Sequence, residues 1–341
     1  MRETAATKIL FLPKLAPAVT EIGESLLPPG FTLEYLAGPE EPAKRVEQLE
    51  SADFLLGFFS ANRLPSSDYQ HLHRVRLAQL LSAGYDGIDL EQLRRLRIPL
   101  SDNGGANAVA VAEHTIMLML AVNRQLVDLD HLMREGGWKN AQLGQETSHE
   151  LEGQTIGIVG AGRIGRAVAR RLGGWDVNLI YYDPVRVPSD EERTLKLRFC
   201  ELDELLAQAD LVTLHAPANA STSRMIGERA LGLMKPEAIL INCARGELVD
   251  EDSLHAALSG HRIAAAGLDT FANEPPNAEN PLRTLPNVVL TPHAAGPTWE
   301  SWPKRFANGF ANIERVAGGL PPLWVVPELQ ELLESSQSAG R

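Results

Sequence analysis

Short apolar runs alternate with longer stretches of helical period along almost the whole chain. "KILFLP" (8–13), "FTLEYL" (31–36), "DFLLGFF" (53–59) and "LAQLL" (77–81) predict strands. So do "TIGIVG" (155–160), "VNLIYYD" (177–183), "DLVTLHAP" (210–217), "EAILINC" (237–243), "IAAAGLD" (263–269) and "NVVLTP" (287–292). Most are apolar at successive positions rather than alternate ones, the pattern of a parallel sheet covered on both faces. Strand, helix and strand repeated in this way predict a doubly wound α/β architecture.

One helix stands apart. "NAVAVAEHTIMLMLAVNRQL" (107–126) is apolar nearly all round, which predicts burial on every face, between domains or between subunits. Asn107 is placed to cap its start. The segment "REGGWKNAQLGQETSHEL" (134–151) is polar and Gly-rich and reads as a loop or arm, with Trp138 its one large anchor.

Composition narrows the class. The 341 residues are 44% hydrophobic and 22% charged, an ordinary globular balance for two domains or one large one. A formal net charge of −12 argues against nucleic acid or an anionic membrane as main partner. Cys200 and Cys243 lie far apart without metal-ligand spacing, so no disulfide framework or metal site is expected, and a reducing cytoplasmic setting fits. No run approaches the roughly 20 apolar residues of a membrane span, and the first residues lack the apolar core of a signal peptide.

The most specific local signal is Gly160-Ala161-Gly162-Arg163-Ile164-Gly165. It follows an apolar strand and opens an amphipathic helix, the context that a dinucleotide-binding turn requires. The first glycine permits the turn, the second lets the backbone approach a pyrophosphate, and the third lets helix and strand pack closely. Asp183 ends the next strand, where a carboxylate accepts the ribose hydroxyls and repels a 2′-phosphate. This predicts NAD as cofactor, although Arg186, three residues on, could partly accommodate a phosphate. His215 and Pro217, in "LHAP", either line the adenosine side or, for His215, pack at an edge.

Later strand ends supply chemistry. "EAILINCARG" ends in Cys243, Ala244 and Arg245; "AGLDTFANEPP" carries Asp269 and Glu274; "LTPHAAG" carries His293. Ligands of such sheets bind outside the carboxyl ends of the strands. Arg245 offers a fork of donors that matches a carboxylate; the competing reading is an ion pair with Asp250 or Glu251. His293 is the natural proton carrier near neutral pH, and a neighbouring Glu274 would orient it and raise its pKa. A carboxylate anchor, an acid/base and a hydride carrier together are what reduction of a 2-oxo acid requires.

On these motifs, from about residue 50 to 320, the sequence resembles the D-isomer-specific 2-hydroxyacid dehydrogenase family. The resemblance rests on "IGIVGAGRIGRAVARRLGGW", "MKPEAILINCARGELVDEDSLHAAL", "AAGLDTFANEPP" and "TPHAAGPTWES". It implies that Arg245 holds the substrate carboxylate and that His293, paired with Glu274, exchanges the proton. It implies that Asp269 contacts the nicotinamide, that Cys243 and Ala244 are further cofactor contacts, and that backbone N–H groups near Gly84 and Tyr85 in "SAGYDGIDL" also hold the carboxylate. It further implies two Rossmann-like or flavodoxin-like domains with a cleft between them. The substrate domain would be 1–103 with 298–341 and the NAD-binding domain 104–297. A homodimer through the 107–126 helix and the 134–151 arm is implied as well. The expected partner is a small 2-oxo or 2-hydroxy carboxylate, with glyoxylate or hydroxypyruvate first. Phosphoglycerate oxidation would need further cations, Arg63 being one candidate; phosphite dehydrogenases share the triad; a sensor that binds NAD without turnover is the alternative of another class. Phe58, Phe59, Tyr85, Trp299 and Trp302 fall near the expected mouth, the tryptophans leaning towards packing.

Overall fold

The computed structural model describes residues 6–59, 64–138 and 148–333. The chain divides into two compact units, residues 1–107 with 297–341 and residues 108–296. Arg63 and residues 139–147 of the expected arm lie outside the described residues.

In the first unit a five-stranded sheet runs in the order β2-β1-β3-β4-β5, all parallel. The strands are β1 (Thr7–Leu12), β2 (Phe31–Tyr35), β3 (Phe54–Gly57), β4 (Leu77–Leu80) and β5 (Leu100–Ser101). Successive side chains point to opposite faces of a strand, so the unbroken apolar runs feed two cores. Ile9 and Phe11 join Phe54, Leu56, Phe306 and Phe310 on one face. Leu10 and Leu12 join Leu49, Leu55 and Leu80 on the other. Helices α1 (Pro17–Ser25), α2 (Pro42–Ser51) and α3 (Leu90–Leu96) connect the strands, and α11 (Ser301–Ala317) returns from the chain's end to stack Phe306 on Phe11. The polar residue in "LAQLL", Gln79, is fully buried. It donates to the Asp102 carbonyl at 2.7 Å and accepts from Asn312 at 2.6 Å, so its burial carries no unpaired group.

The second unit holds a seven-stranded parallel sheet in the order β12-β11-β10-β9-β6-β7-β8. Its strands are β6 (Thr155–Val159), β7 (Asn178–Tyr182), β8 (Leu197–Phe199), β9 (Leu211–Leu214), β10 (Ile239–Asn242), β11 (Ala265–Leu268) and β12 (Val288–Leu290). The sequence starts at β6, an interior strand, builds outward one way through β7 and β8, then returns past β6 to build the other side from β9 to β12. The order therefore reverses between β6 and β9, the switch point at which doubly wound sheets open a crevice. The helices are α6 (Arg163–Leu172), α7 (Ser189–Leu195), α8 (Leu202–Gln208), α9 (Glu228–Leu233) and α10 (Glu251–Ser259). Two strands, β5 and β8, are not visible in the apolar pattern. Each is only two or three residues long, and Ser101 and Arg198 interrupt them.

The 107–126 helix needs correction on one point. It is α4 (Ala108–Asn123), and a turn at Gln125, with φ of +51°, separates it from α5 (Leu126–Arg134). Within the single chain one face stays open: Val109 and Met117 are 40% and 46% exposed, with exposed Glu113 between them on the same stripe, which leaves the expected burial between subunits untested. Uniform apolarity hides this, because a helix without a polar face gives no sign of which face a single chain leaves open. Trp138 is 76% exposed among the described residues. The Asn107 side-chain oxygen accepts from Asn103 Nδ2 at 2.9 Å.

Candidate active site

The glycine turn lies between β6 and α6, at the strand reversal. Its three glycines serve different needs. Gly160 has φ of +94°, and a Cβ there would sit 2.7 Å from the backbone of His215 and Ala216. A Cβ at Gly165 would sit 2.1 Å from the Gly160 carbonyl oxygen, so this glycine lets α6 press onto β6. At Gly162 nothing lies within 4 Å of the Cβ position. The space that a side chain would fill is left open in front of a helix start, whose dipole and first N–H groups favour a phosphate. Arg163 and Ile164 form the first turn of α6.

Asp183 follows β7 and is anchored by two backbone donors, Ala161 N and Val185 N, each at 2.8 Å. One bond ties it to the glycine turn, so the carboxylate stands at a fixed place beside it. On the other flank, His215 follows β9. Burial pushes its pKa down to about 3, so the ring is neutral. Nε2 meets the Thr213 hydroxyl at 3.0 Å, while Nδ1 is buried without a hydrogen-bond partner. Pro217, two residues on, is exposed. An open cradle at Gly162, a fixed carboxylate and an orphaned imidazole nitrogen fit a dinucleotide.

The remaining candidates in this unit leave the same edge of the sheet. Arg245 follows β10, Asp269 and Glu274 follow β11, and His293 follows β12. The turn after β10 is tied by Asn242, whose Oδ1 accepts from Ala244 N at 3.0 Å and whose Nδ2 donates to the Arg245 carbonyl at 2.8 Å. The glycine beside the arginine has a packing reason: a Cβ on Gly246 would fall 1.9 Å from the Phe271 carbonyl carbon. The loop that carries Glu274 therefore rests on the turn that carries Arg245. Glu251 pins that loop further by accepting from Ala272 N and Asn280 Nδ2. Asp250 caps α10 through Ser253 N and pairs with Arg224. Both acids considered as partners of Arg245 are thus engaged elsewhere. The half-buried arginine donates to the Ala244 carbonyl at 2.6 Å, and its charge acts on both Glu274 and His293.

His293 Nδ1 lies 2.6 Å from Glu274 Oε2, and Phe271 N donates to the other oxygen at 3.1 Å. The bond to Glu274 raises the histidine pKa above its ordinary 6.5, against burial and the nearby arginine. Burial would raise the Glu274 pKa, but the bonds from His293 and Phe271 N outweigh it and hold the carboxyl below its ordinary range. With Nδ1 committed to the carboxylate, Nε2 is the nitrogen left to exchange a proton. The histidine backbone is itself set by Asp269, whose carbonyl accepts from His293 N at 2.8 Å.

Asp269 is fully buried. Burial alone would raise its pKa, but bonds from His114, Thr291 Oγ1 (2.6 Å), Ala294 N (2.8 Å) and Ala295 N (3.0 Å) hold it ionised. His114 Nε2 lies 3.0 Å from Thr291 Oγ1 and 3.4 Å from Asp269 Oδ1. Neither His114 nor Thr291 stood out in the sequence. The available signal was a lone histidine, between Glu113 and Thr115, in a mostly apolar helix. Cys243 is buried and its thiol is pushed up to about 12, so it is a protonated packing group; Ala244 is buried beside it.

Gly84 and Tyr85 belong to the other unit. They follow β4 in a turn where Ser82 Oγ donates to the Gly84 carbonyl at 2.8 Å. With Phe58, Phe59 and Leu80 they line a pocket of about 130 Å³, and the Tyr85 hydroxyl bonds to Glu328 at 3.1 Å. Of the two tryptophans, Trp302 packs edge-on to Phe58 and under Arg305, whereas Trp299 is 60% exposed.

A doubly wound sheet with a dinucleotide turn, and a histidine–carboxylate pair and an arginine at its strand ends, defines an NAD-linked oxidoreductase. Comparison with known proteins gives the family. Residues 116–295 match the family model for the NAD-binding domain of D-isomer specific 2-hydroxyacid dehydrogenases, and the chain belongs to that family. It is 36% identical over 320 residues to a glyoxylate reductase of Korarchaeum cryptofilum, covering 91% of this chain and 94% of that one. A glyoxylate reductase structure from Paecilomyes thermophila superposes with a TM-score of 0.81 at 29% identity, covering 95% of this chain and 99% of that one. An acyclic imino acid reductase in complex with NADPH and D-Arg gives 0.78 at 30% identity, covering 94% and 100%. The protein is an NAD-dependent 2-hydroxyacid dehydrogenase, an oxidoreductase acting on the CH–OH group.

Proposed function

We propose that this dehydrogenase reduces small 2-oxo acids, glyoxylate and hydroxypyruvate first among them. The observation that carries the reading is the 2.6 Å bond between His293 Nδ1 and Glu274, on strand ends beside Arg245. In this reading Arg245 binds the substrate carboxylate and polarises the keto oxygen. His293 donates the Nε2 proton to that oxygen during reduction and takes it back during oxidation, while Glu274 holds the imidazolium. NAD(H), when bound, supplies or accepts the hydride. Asp183 would take the ribose hydroxyls, Gly160, Gly162 and Gly165 would frame the pyrophosphate, and Asp269 would face the nicotinamide. Gly84 and Tyr85 are proposed as further substrate contacts.

Similarity to glyoxylate reductases over most of the chain supports the choice of substrate. The test is NADH oxidation across glyoxylate, hydroxypyruvate, pyruvate, phenylpyruvate and 2-oxoglutarate. Preference for the two smallest polar acids is the expected result. Silence on every acid, with NADH still bound, would replace this reading by a sensor role.

A homodimer through α4 and the arm is part of the proposal. Val109, Met117, Leu126, Val127, Met133 and Trp138 are all at least 40% exposed in the single chain, an apolar surface of the kind that marks an interface. Among the described residues no helix is long and apolar enough to cross a membrane. A cytoplasmic setting is proposed from the two unpaired cysteines.

A further inference from the structure

Arg186 follows Asp183 by three residues, on the loop where a neighbouring arginine can accept a 2′-phosphate. In the structure its guanidinium is already engaged. Nε bonds to Glu192 Oε1 at 2.9 Å and an Nη to Oε2 at 3.2 Å, a two-pronged pair. The guanidinium carbon also lies 5.3 Å from the centre of the Phe199 ring, close enough for a cation–π contact. Glu192 is held in turn. Its side chain is 11% exposed, against 65% for Arg186, and the buried Tyr181 hydroxyl donates to it at 2.6 Å. Tyr181 accepts from Val187 N at 2.9 Å, which fastens the end of the same loop. The acid is therefore the fixed member of the pair and the arginine the captured one.

We propose that Glu192 is a cofactor-specificity residue, which keeps Arg186 from serving a 2′-phosphate and so reinforces the preference of Asp183 for NAD(H) over NADP(H). The effect acts through Arg186: its fork is occupied by a carboxylate and is not offered to a phosphate. It does not require Glu192 to touch the cofactor. The inference rests on the assignment of the glycine turn and Asp183 to the cofactor, and wild-type NADH binding tests that assignment separately.

The experiment is fluorescence titration of the full-length protein with NADH and NADPH, paired with kcat/KM for each on glyoxylate. Glu192→Gln keeps the shape and the Tyr181 contact while removing the charge. It is expected to tighten NADPH binding about tenfold and to change NADH binding less than twofold. NADH stays preferred because Asp183 remains. Adding Arg186→Ala to Glu192→Gln is expected to abolish the gain. Glu192→Asp retains the charge but is too short for the two-pronged pair. It is expected to give a smaller gain of the same sign, and it serves as the test if Glu192→Gln does not fold. Unchanged NADPH affinity in the folded Glu192 variants, with NADH binding intact, would overturn the proposal. So would a gain that survives loss of Arg186.

Discussion

His293 has a prescribed partner for one nitrogen and open work for the other, and its protonation can be followed by pH. Its pKa in the folded protein is raised above 6.5, chiefly by Glu274. In the proposed mechanism reduction needs the protonated ring, so its rate should be full below that raised pKa and fall as pH increases through it; oxidation should rise across the same window. Glu274→Gln removes the main cause of the shift. Its alkaline limb for reduction should therefore move to lower pH in a kcat/KM profile, and an unmoved limb would assign the titration to another group. His293→Ala should lose roughly 10²–10⁴-fold in turnover while NADH titration is unaffected. Arg245→Lys keeps the charge but not the fork. Each charge-assisted bond is worth about 1.5–3 kcal/mol, so KM for the 2-oxo acid should rise by about tenfold or more, whereas the NADH affinity should hold.

At the scale of elements, the six residues of the glycine turn separate folding from binding in the proposed reading. Gly160 has a backbone conformation that disfavours a side chain, at a cost of about 1–3 kcal/mol for a non-glycine residue, and it has no room for one. Gly165 has no room either, since α6 lies against the Gly160 carbonyl. Gly160→Ala and Gly165→Ala are expected to lower the melting temperature. Gly162→Ala should melt like the wild type yet bind NADH more weakly, because its Cβ would enter only the open cradle. Thermal denaturation beside an NADH titration separates the two outcomes. The turn was readable because strand, spacing and helix are local features. The break between α4 and α5 was not. It depends on a left-handed residue at Gln125, and nothing in "AVNRQL" distinguishes that from a continuing helix.

The whole molecule carries an apolar surface that one chain does not bury. Val109 and Met117 on α4, and Leu126, Val127 and Met133 on α5, are all exposed. If this is the dimer face, Met117→Asp should shift sedimentation towards the monomer in a concentration-dependent way, leaving the melting of each chain otherwise native. A wild-type protein that sediments as a monomer at micromolar concentration would remove the dimer from the proposal.

By itself the sequence determined the class of fold, the glycine turn between strand and helix, and the small set of strand-end residues from which the proposed chemistry is drawn. All three follow from short-range signals. Apolar runs set parallel strands, glycine spacing sets a turn, and in a parallel sheet every strand end faces the same edge. Tertiary structure decided the partnerships. It placed Asp250 and Glu251 on other donors rather than on Arg245, brought His114 and Thr291 to Asp269 across 155 and 22 residues of chain, and captured Arg186 with Glu192. It also chose the face of α4 that stays open. These outcomes depend on distances between residues remote in sequence, and on competition among several equally charged candidates. Close packing settles that competition in three dimensions; composition and spacing along the chain do not.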